Sequence, residues 1–333
     1  MPRQTPSAQL SADLSQLHRT HNPGTALDLQ RLREVSANTC AIERRCASLP
    51  GRRSIKKDWQ AAWLLKAVTC IDLTTLSGDD TARRVHRLCM KARQPVRADI
   101  LAALGMADRH ITTGAVCVYH EMVAPAVAAL KGSGIPVAAV STGFPAGLSP
   151  LRLRIEEIRE SIASGASEID IVISRRHVLS QNWQALYDEI RSFREACGDT
   201  HMKTILATGD LGTLRNVARA SWVAMMAGAD FIKTSTGKEG VNATLPVSLV
   251  MIRAIRAYHA ATGVRVGYKP AGGISKAKDV LTYMALMKEE LGNRWLHPDL
   301  FRIGASSLLG DIERQLEHHA TGRYSASYRH AMG

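Results

Sequence analysis

Two lysines, at 233 and 269, each end a short apolar run and lead into a turn of small residues. The segments are Phe231-Ile232-Lys233-Thr234-Ser235-Thr236-Gly237 and Gly267-Tyr268-Lys269-Pro270-Ala271-Gly272-Gly273. A lysine behind Phe231 and Ile232 sits where apolar walls can strip water from its ammonium, which favours a neutral, nucleophilic amine. The plain alternative is a solvated strand end with its alkyl stem lying along apolar surface. A third residue separates the two readings. Asp170, in Ile169-Asp170-Ile171-Val172-Ile173, is a carboxylate in an otherwise apolar run. Burying it is costly unless a cation or hydrogen-bond donors meet it, and lysines at other strand ends are its natural partners. Lys203 lies near the start of its own run, at the wrong end for chemistry, and is expected at most to join a polar network.

These side chains need a scaffold that brings strand ends together. From Trp59 onward, short apolar or β-branched runs alternate with longer segments of helical spacing. Strands are expected at 69–73, 115–118, 137–141, 168–173, 202–207, 230–233, 264–268 and 301–304. Helices are expected at 79–93, 123–131, 150–164, 183–196, 211–227, 246–262 and 276–291. Eight runs apolar enough to be buried on both faces, alternating with helices, form the pattern of parallel βαβ units. The span 56–320 suits one (β/α)8 TIM barrel of about 250 residues. An open doubly wound sheet is the alternative, but no Gly-x-Gly-x-x-Gly follows the first run. Residues 1–55 are expected to be an N-terminal extension, partly helical or flexible, with a turn at Asn22-Pro23-Gly24 and a helix-like stretch at 27–35. Residues 321–333 form a C-terminal tail.

On a barrel, chemistry gathers where each strand passes into the loop that follows it. The first ends offer Asp72-Leu73-Thr74-Thr75-Leu76, Cys117-Val118-Tyr119-His120 and Thr142-Gly143-Phe144-Pro145. Lys233 and Lys269 end adjacent strands, about 4.8 Å apart, and like charges in a partly dry pocket push one amine toward its neutral form. That is the condition for attack on a carbonyl and formation of a Schiff base. Gly272-Gly273 and Gly304-Ala305-Ser306-Ser307 are small-residue turns leading toward helices, where backbone N–H groups and the helix dipole favour an anion. With Thr236-Gly237, and Lys238 just beyond, they are expected to cradle a phosphate beside the lysines.

Composition narrows the function classes. Forty-three basic against thirty acidic residues give a net charge of +13, which favours anionic partners. The arginines are scattered and aromatics are few, so a stacking surface for nucleic acid is not expected. The six cysteines show no Cys-x-x-Cys pair and no histidines at metal-ligand spacing, so they read as reduced thiols rather than metal ligands. No signal-peptide core and no long apolar run appears, and Asp13, Asp28 and Glu34 oppose a transit peptide. A cytoplasmic protein is expected, with no membrane association.

From about Lys66 to the C-terminus the chain resembles the 2-deoxyribose-5-phosphate aldolases, and its longer form is similar to the animal branch of that family. The two lysine segments carry most of the resemblance, supported by the Asp72 and Asp170 segments and by Arg302-Ile303-Gly304-Ala305-Ser306-Ser307-Leu308-Leu309. The resemblance implies a class I aldolase, a carbon–carbon lyase of deoxyribose phosphate catabolism. Such an enzyme reversibly cleaves 2-deoxy-D-ribose 5-phosphate to D-glyceraldehyde 3-phosphate and acetaldehyde, without metal or organic cofactor. It further implies that Lys233 forms the Schiff base, that Lys269 favours the neutral amine of Lys233, and that Lys269 and Asp170 relay protons with a bound water. Asp72 is implied near the substrate hydroxyls, with Leu76, Cys117 and Phe144 lining the pocket. In the family a terminal tyrosine helps protonate the enamine. Tyr328 is the implied counterpart and Tyr324 the second choice, although five further residues follow Tyr328. Ala207 stands where the bacterial pattern often has glutamate. The implied partner is a phosphosugar, with a homodimer or larger homo-oligomer left open. Two other readings remain at this point: another phosphosugar lyase or isomerase on the same barrel, and a basic scaffold protein without catalysis.

Overall fold

Strands that are buried on both faces can only be satisfied by neighbours on both edges and helices outside, and here that requirement closes a barrel. The computed structural model describes residues 21–52 and 55–330; the first twenty residues of the expected extension and the last three of the tail lie outside the described residues. The strands are β1 (Ile71–Thr74), β2 (Ala115–Tyr119), β3 (Val137–Ser141), β4 (Glu168–Val172), β5 (His201–Ile205), β6 (Phe231–Lys233), β7 (Gly267–Lys269) and β8 (Ile303–Ala305). They follow the order β7-β6-β5-β4-β3-β2-β1-β8, every pair parallel. Parallel bridges from Tyr268 to Phe301 and from Ala271 to Gly304 join β7 to β8 and complete the circle. All eight runs expected from the sequence are strands. The clearest shift is in β7, expected over 264–268. Its ladder with β6 begins only where Gly267 meets Phe231, so strand structure starts there and runs on through Lys269.

The outer layer comprises α4 (Ala82–Arg93), α6 (Val123–Leu130), α7 (Leu151–Ala163), α9 (Trp183–Cys197), α10 (Leu214–Met226), α11 (Leu245–Thr262), α12 (Ala277–Leu291) and α13 (Leu308–Thr321). Shorter α5 (Ala98–Ala103) and α8 (Arg175–Leu179) sit in the connections. Several of these helices start at a side-chain cap: Thr81, Asn182, Thr213 and Thr244 each accept a backbone N–H three residues on. Before the barrel come α1 (Leu29–Glu34), α2 (Thr39–Arg52) and α3 (Lys57–Thr69). Helix α3 buries Leu64, Leu65, Ala67 and Val68 against the barrel wall, and its neighbours are α12 and α13.

The described part of the N-terminal segment is bolted to the end of the barrel opposite the strand C-termini. Buried Asn22 donates its backbone N–H to Asp230 (2.7 Å) and its side-chain amide to the carbonyls of Met225 (2.7 Å) and Ala229 (2.9 Å). Gly24 follows at φ +73°, where an added Cβ would lie 2.4 Å from the Met226 carbonyl oxygen. His21 Nδ1 lies 3.2 Å from Asp230 Oδ2, and this hydrogen bond raises the imidazole above its ordinary value. Burial pushes Asp230 up, but His21 and the surrounding donors outweigh it and hold the carboxyl below the usual range.

The core has two parts. A continuous apolar layer fills the space between strands and helices, while a small cluster of Cys117, Ala138, Val140, Phe144, Val172 and Ile205 occupies the barrel beside the lysines. Among the described residues no helix is long and apolar enough to cross a membrane.

Candidate active site

Parallel register sets Lys233 on β6 directly beside Lys269 on β7, so the pleat turns both side chains the same way, into the barrel. Thr234 fixes the strand ends from above: its backbone N–H donates to the Lys269 carbonyl (3.1 Å), and its hydroxyl accepts from Ala271 N (3.0 Å). Asp170 on β4 lies between the lysines. Its Oδ2 accepts from Lys233 Nζ (2.9 Å) and Lys269 Nζ (2.7 Å), and its Oδ1 accepts from Lys203 Nζ (2.9 Å). Lys269 also meets Asp72 Oδ2 at 2.5 Å, an ionic contact out of hydrogen-bond alignment. The missing side chain at Gly304 lets β8 approach the β7 turn beside Lys269, because an added Cβ there would lie 2.8 Å from Ala271 Cβ.

The polar interior reaches further than expected. Lys203, anticipated only as a possible member of a network, is wholly buried and bound to Glu168 Oε2 (2.5 Å) as well as to Asp170. Arg302 on the approach to β8 bonds Asp72 Oδ1 (2.6 Å) and Glu168 Oε1 (2.9 Å). Neither Glu168 nor Arg302 was singled out from the sequence, yet each is a charge within an apolar strand run, the signal that pointed to Asp170.

Burial alone would raise Asp170, but the ammonium groups of Lys203, Lys233 and Lys269 outweigh it and hold the carboxyl well below the usual range. Asp72 is likewise pushed up by burial and drawn down by Lys269 and Arg302, ending low. Burial opposes the charge on Lys269, but Asp170 and Asp72 reverse that effect and raise the ammonium, so Lys269 stays charged. Burial raises the Cys117 thiol, which therefore stays protonated beside the charged groups.

Above this floor opens a cavity of about 540 Å³. Lys233 reaches its base, and Leu76, Thr236, Gly237, Lys238, Gly272, Gly273, Gly304, Ser306 and Ser307 line it, as do Thr74, Thr75, Ser77 and Ser275, which were not expected. Asp72, Asp170 and Lys269 lie beneath the floor, fully buried, and Cys117 and Phe144 belong to the adjoining apolar cluster. Lys238 Nζ donates to the Leu76 carbonyl (3.2 Å) across the mouth.

The expected anion cradle divides in two. The backbone N–H groups of Thr236 and Gly237 are already taken by the Glu239 carboxylate, at 3.0 and 3.2 Å. The side chain of Glu239 is tucked behind the turn, with Arg175 Nη2 3.4 Å from its Oε1. Arg175 in turn holds Asp210 Oδ2 (3.0 Å) and the carbonyls of Pro145 and Ala146. Among the described residues, the backbone N–H groups of Gly272, Gly273, Ser306 and Ser307 meet no acceptor within the chain, which leaves them open to a ligand anion. The structure does not bring Tyr328 to the cavity. The tail is pinned to α13 by buried His330, whose Nε2 lies 2.8 Å from Glu317 Oε2 and 2.7 Å from Ser325 Oγ, and Tyr324 and Tyr328 both point into solvent.

A parallel barrel with buried lysines under a cavity at its strand C-termini is an arrangement for amine-based chemistry on a carbonyl. Comparison with known proteins supports this class. Residues 66–311 match the family model described as DeoC/LacD family aldolase. The chain is 62% identical over 308 residues to the deoxyribose-phosphate aldolase of Homo sapiens, covering 92% of this chain and 97% of that one, and 63% identical over the same length to that of Mus musculus. The fold matches a Toxoplasma gondii ME49 crystal structure at TM-score 0.66 and 22% identity, covering 81% of this chain and 99% of that one. It also matches a deoxyribose phosphate aldolase from Aeropyrum pernix at TM-score 0.58 and 20% identity, covering 80% and 97%. The chain belongs to the DeoC/LacD family of aldolases, which are carbon–carbon lyases.

Proposed function

We propose that this aldolase reversibly cleaves 2-deoxy-D-ribose 5-phosphate to D-glyceraldehyde 3-phosphate and acetaldehyde through a Schiff base on Lys233. The observation that carries the reading is the shared acceptor: Asp170 Oδ2 holds Lys233 at the cavity floor and Lys269 beneath it. The Lys233 amine attacks the C1 aldehyde of the open-chain sugar, and loss of water from the carbinolamine gives an iminium. Removal of the C3 hydroxyl proton lets the C2–C3 bond break, releasing D-glyceraldehyde 3-phosphate, and its electron pair moves into the iminium to leave an enamine. Protonation of the enamine at C2 and hydrolysis release acetaldehyde and restore the amine. Lys269, Asp170 and Lys233 form a hydrogen-bonded chain along which protons pass in the carbinolamine and enamine steps. Asp72 orients Lys269 from beneath the floor, and Leu76, backed by the buried cluster of Cys117 and Phe144, supplies the apolar wall against the two-carbon fragment.

The phosphate is assigned to the open N–H groups of Gly272 and Gly273 in the turn after β7 and of Ser306 and Ser307 at the start of α13, with Lys238 as counter-charge. The +13 net charge favours such an anionic substrate. All six cysteines are free thiols, which accords with a reducing, cytoplasmic setting. Borohydride reduction in the presence of acetaldehyde is expected to trap an ethyl adduct on the peptide carrying Lys233. Lys233→Ala is expected to abolish the adduct and lower cleavage by on the order of 10³-fold or more. Wild-type turnover with the adduct on another lysine, or with none, overturns the assignment.

A further inference from the structure

Six of the seven charged groups in the barrel interior close into a ring of alternating sign. Arg302 binds Asp72 (2.6 Å) and Glu168 (2.9 Å), Glu168 binds Lys203 (2.5 Å), and Lys203 binds Asp170 (2.9 Å). Asp170 binds Lys269 (2.7 Å), which returns to Asp72 (2.5 Å). Three cations and three carboxylates, all wholly buried or within 2% of it, cancel. Lys233 is the seventh group and stands outside the ring. It shares one carboxylate oxygen, Asp170 Oδ2, with Lys269.

A proton on Lys233 therefore makes the whole buried cluster positive, and an uncompensated interior charge is costly. The other members do not relieve it as readily. Arg302 cannot lose its proton, Lys203 lies within 4.0 Å of three carboxylates, and Lys269 lies against two. Among the described residues Asp170 on β4 is the one carboxylate within 4.0 Å of Lys233. Lys203 on β5 and Lys269 on β7 share it, and the protonated Cys117 thiol on β2 and Lys238 at the mouth add no anion.

We infer that Arg302 and Glu168, which line no part of the cavity, are positioning residues that set the proton occupancy of Lys233 through the charge balance of the ring. Removing the Glu168 charge leaves the cluster with a larger positive excess and favours the free amine. Removing the Arg302 charge leaves a cluster that stays neutral with Lys233 protonated, and disfavours it. The two changes act in opposite directions and cancel when combined, which no purely structural role produces.

This inference rests on Lys233 being the reacting amine, so the test reads that amine directly. The rate of reductive ethylation of Lys233 by acetaldehyde and cyanoborohydride is measured by peptide mass spectrometry against pH, with cooperative melting as the check of folding. Glu168→Gln is expected to move the half-maximal pH down and Arg302→Gln to move it up, each by about one unit, or about tenfold in rate on the acid limb. The double variant is expected to return to the wild-type profile. Should Arg302→Gln not fold, Arg302→Lys, which keeps the charge, is expected to leave the profile in place while Glu168→Gln shifts it. Folded single variants that shift in the same direction, or that leave the profile unmoved, overturn the inference. Failure of wild-type Lys233 to label overturns the Schiff-base reading instead.

Discussion

At the scale of single residues the site depends on Asp170, a buried carboxylate that gathers three lysines. Asp170→Asn is expected to leave Lys203, Lys233 and Lys269 facing an amide, with one of the three carboxylates removed from the ring. Activity should fall by on the order of 10²-fold or more, and stability by about 3–5 kcal/mol, the range for breaking a buried ion pair. Progress curves on deoxyribose 5-phosphate and urea denaturation check the two parts. Lys233, Lys269 and Asp170 were legible in the sequence because each is a charge at or within an apolar run, and the strand period says which way it points. Arg302 and Glu168 carry the same signal, but their partners are on other strands and appear only when the barrel closes. Glu239 was invisible for another reason. Its role depends on a turn that folds back on itself, and nothing in the order of Thr236, Gly237, Lys238 and Glu239 shows which side of the turn the carboxylate takes.

At the scale of elements, the eight strands and seven of the helices followed from alternating runs and α1 from the helix-like stretch at 27–35, while α2, α3, α13 and the short α5 and α8 did not. Pro50 lies inside α2 and disguises its C-terminal turn. Helix α3 has too uniform a distribution of apolar residues to show a face, since both the barrel wall and the helices beside it cover it. Helix α13 begins in the small-residue turn that the sequence marks as an anion loop, and that reading drew attention from the helix behind it. The N-terminal segment looked like an appendage because its first described anchors, His21, Asn22 and Gly24, are polar or bare backbone, while the apolar residues it buries, Leu32, Ile42, Cys46 and Leu49, are few and split between α1 and α2. The docking of this strap should depend on pH. His21 is raised in the folded state above about 6.5, its unfolded value, by its bond to Asp230. Its contribution is therefore complete below that value and lost as pH rises through the higher folded-state value. Hydrogen-exchange protection over 21–35, taken relative to the intrinsic exchange rate at each pH, is expected to fall between mildly acidic and mildly alkaline pH in the wild type, and His21→Gln should flatten the fall.

At the scale of the whole molecule, the ionic interior sets a lower limit on the working pH. Asp72, Asp170 and Asp230 are all held below the ordinary carboxylate range in the fold. The unfolded chain binds protons there first, so the stability these groups supply is present above about pH 4 and lost as pH falls through their folded values. Thermal melts are expected to hold level from neutral pH down to about 5 and then to drop steeply, and Asp170→Asn should blunt the drop. The outer surface sends a different message, since its positive charge draws anions toward the barrel whatever they carry. Selection then falls to the inside of the mouth, where Glu239 has taken the two amides of the β6 turn. With those seats filled from within, the proposed phosphate seat is a single one, on the open amides of Gly272, Gly273, Ser306 and Ser307. A sugar bearing a single terminal phosphate fits that count, whereas a bisphosphate would arrive with a second charge and nowhere to put it.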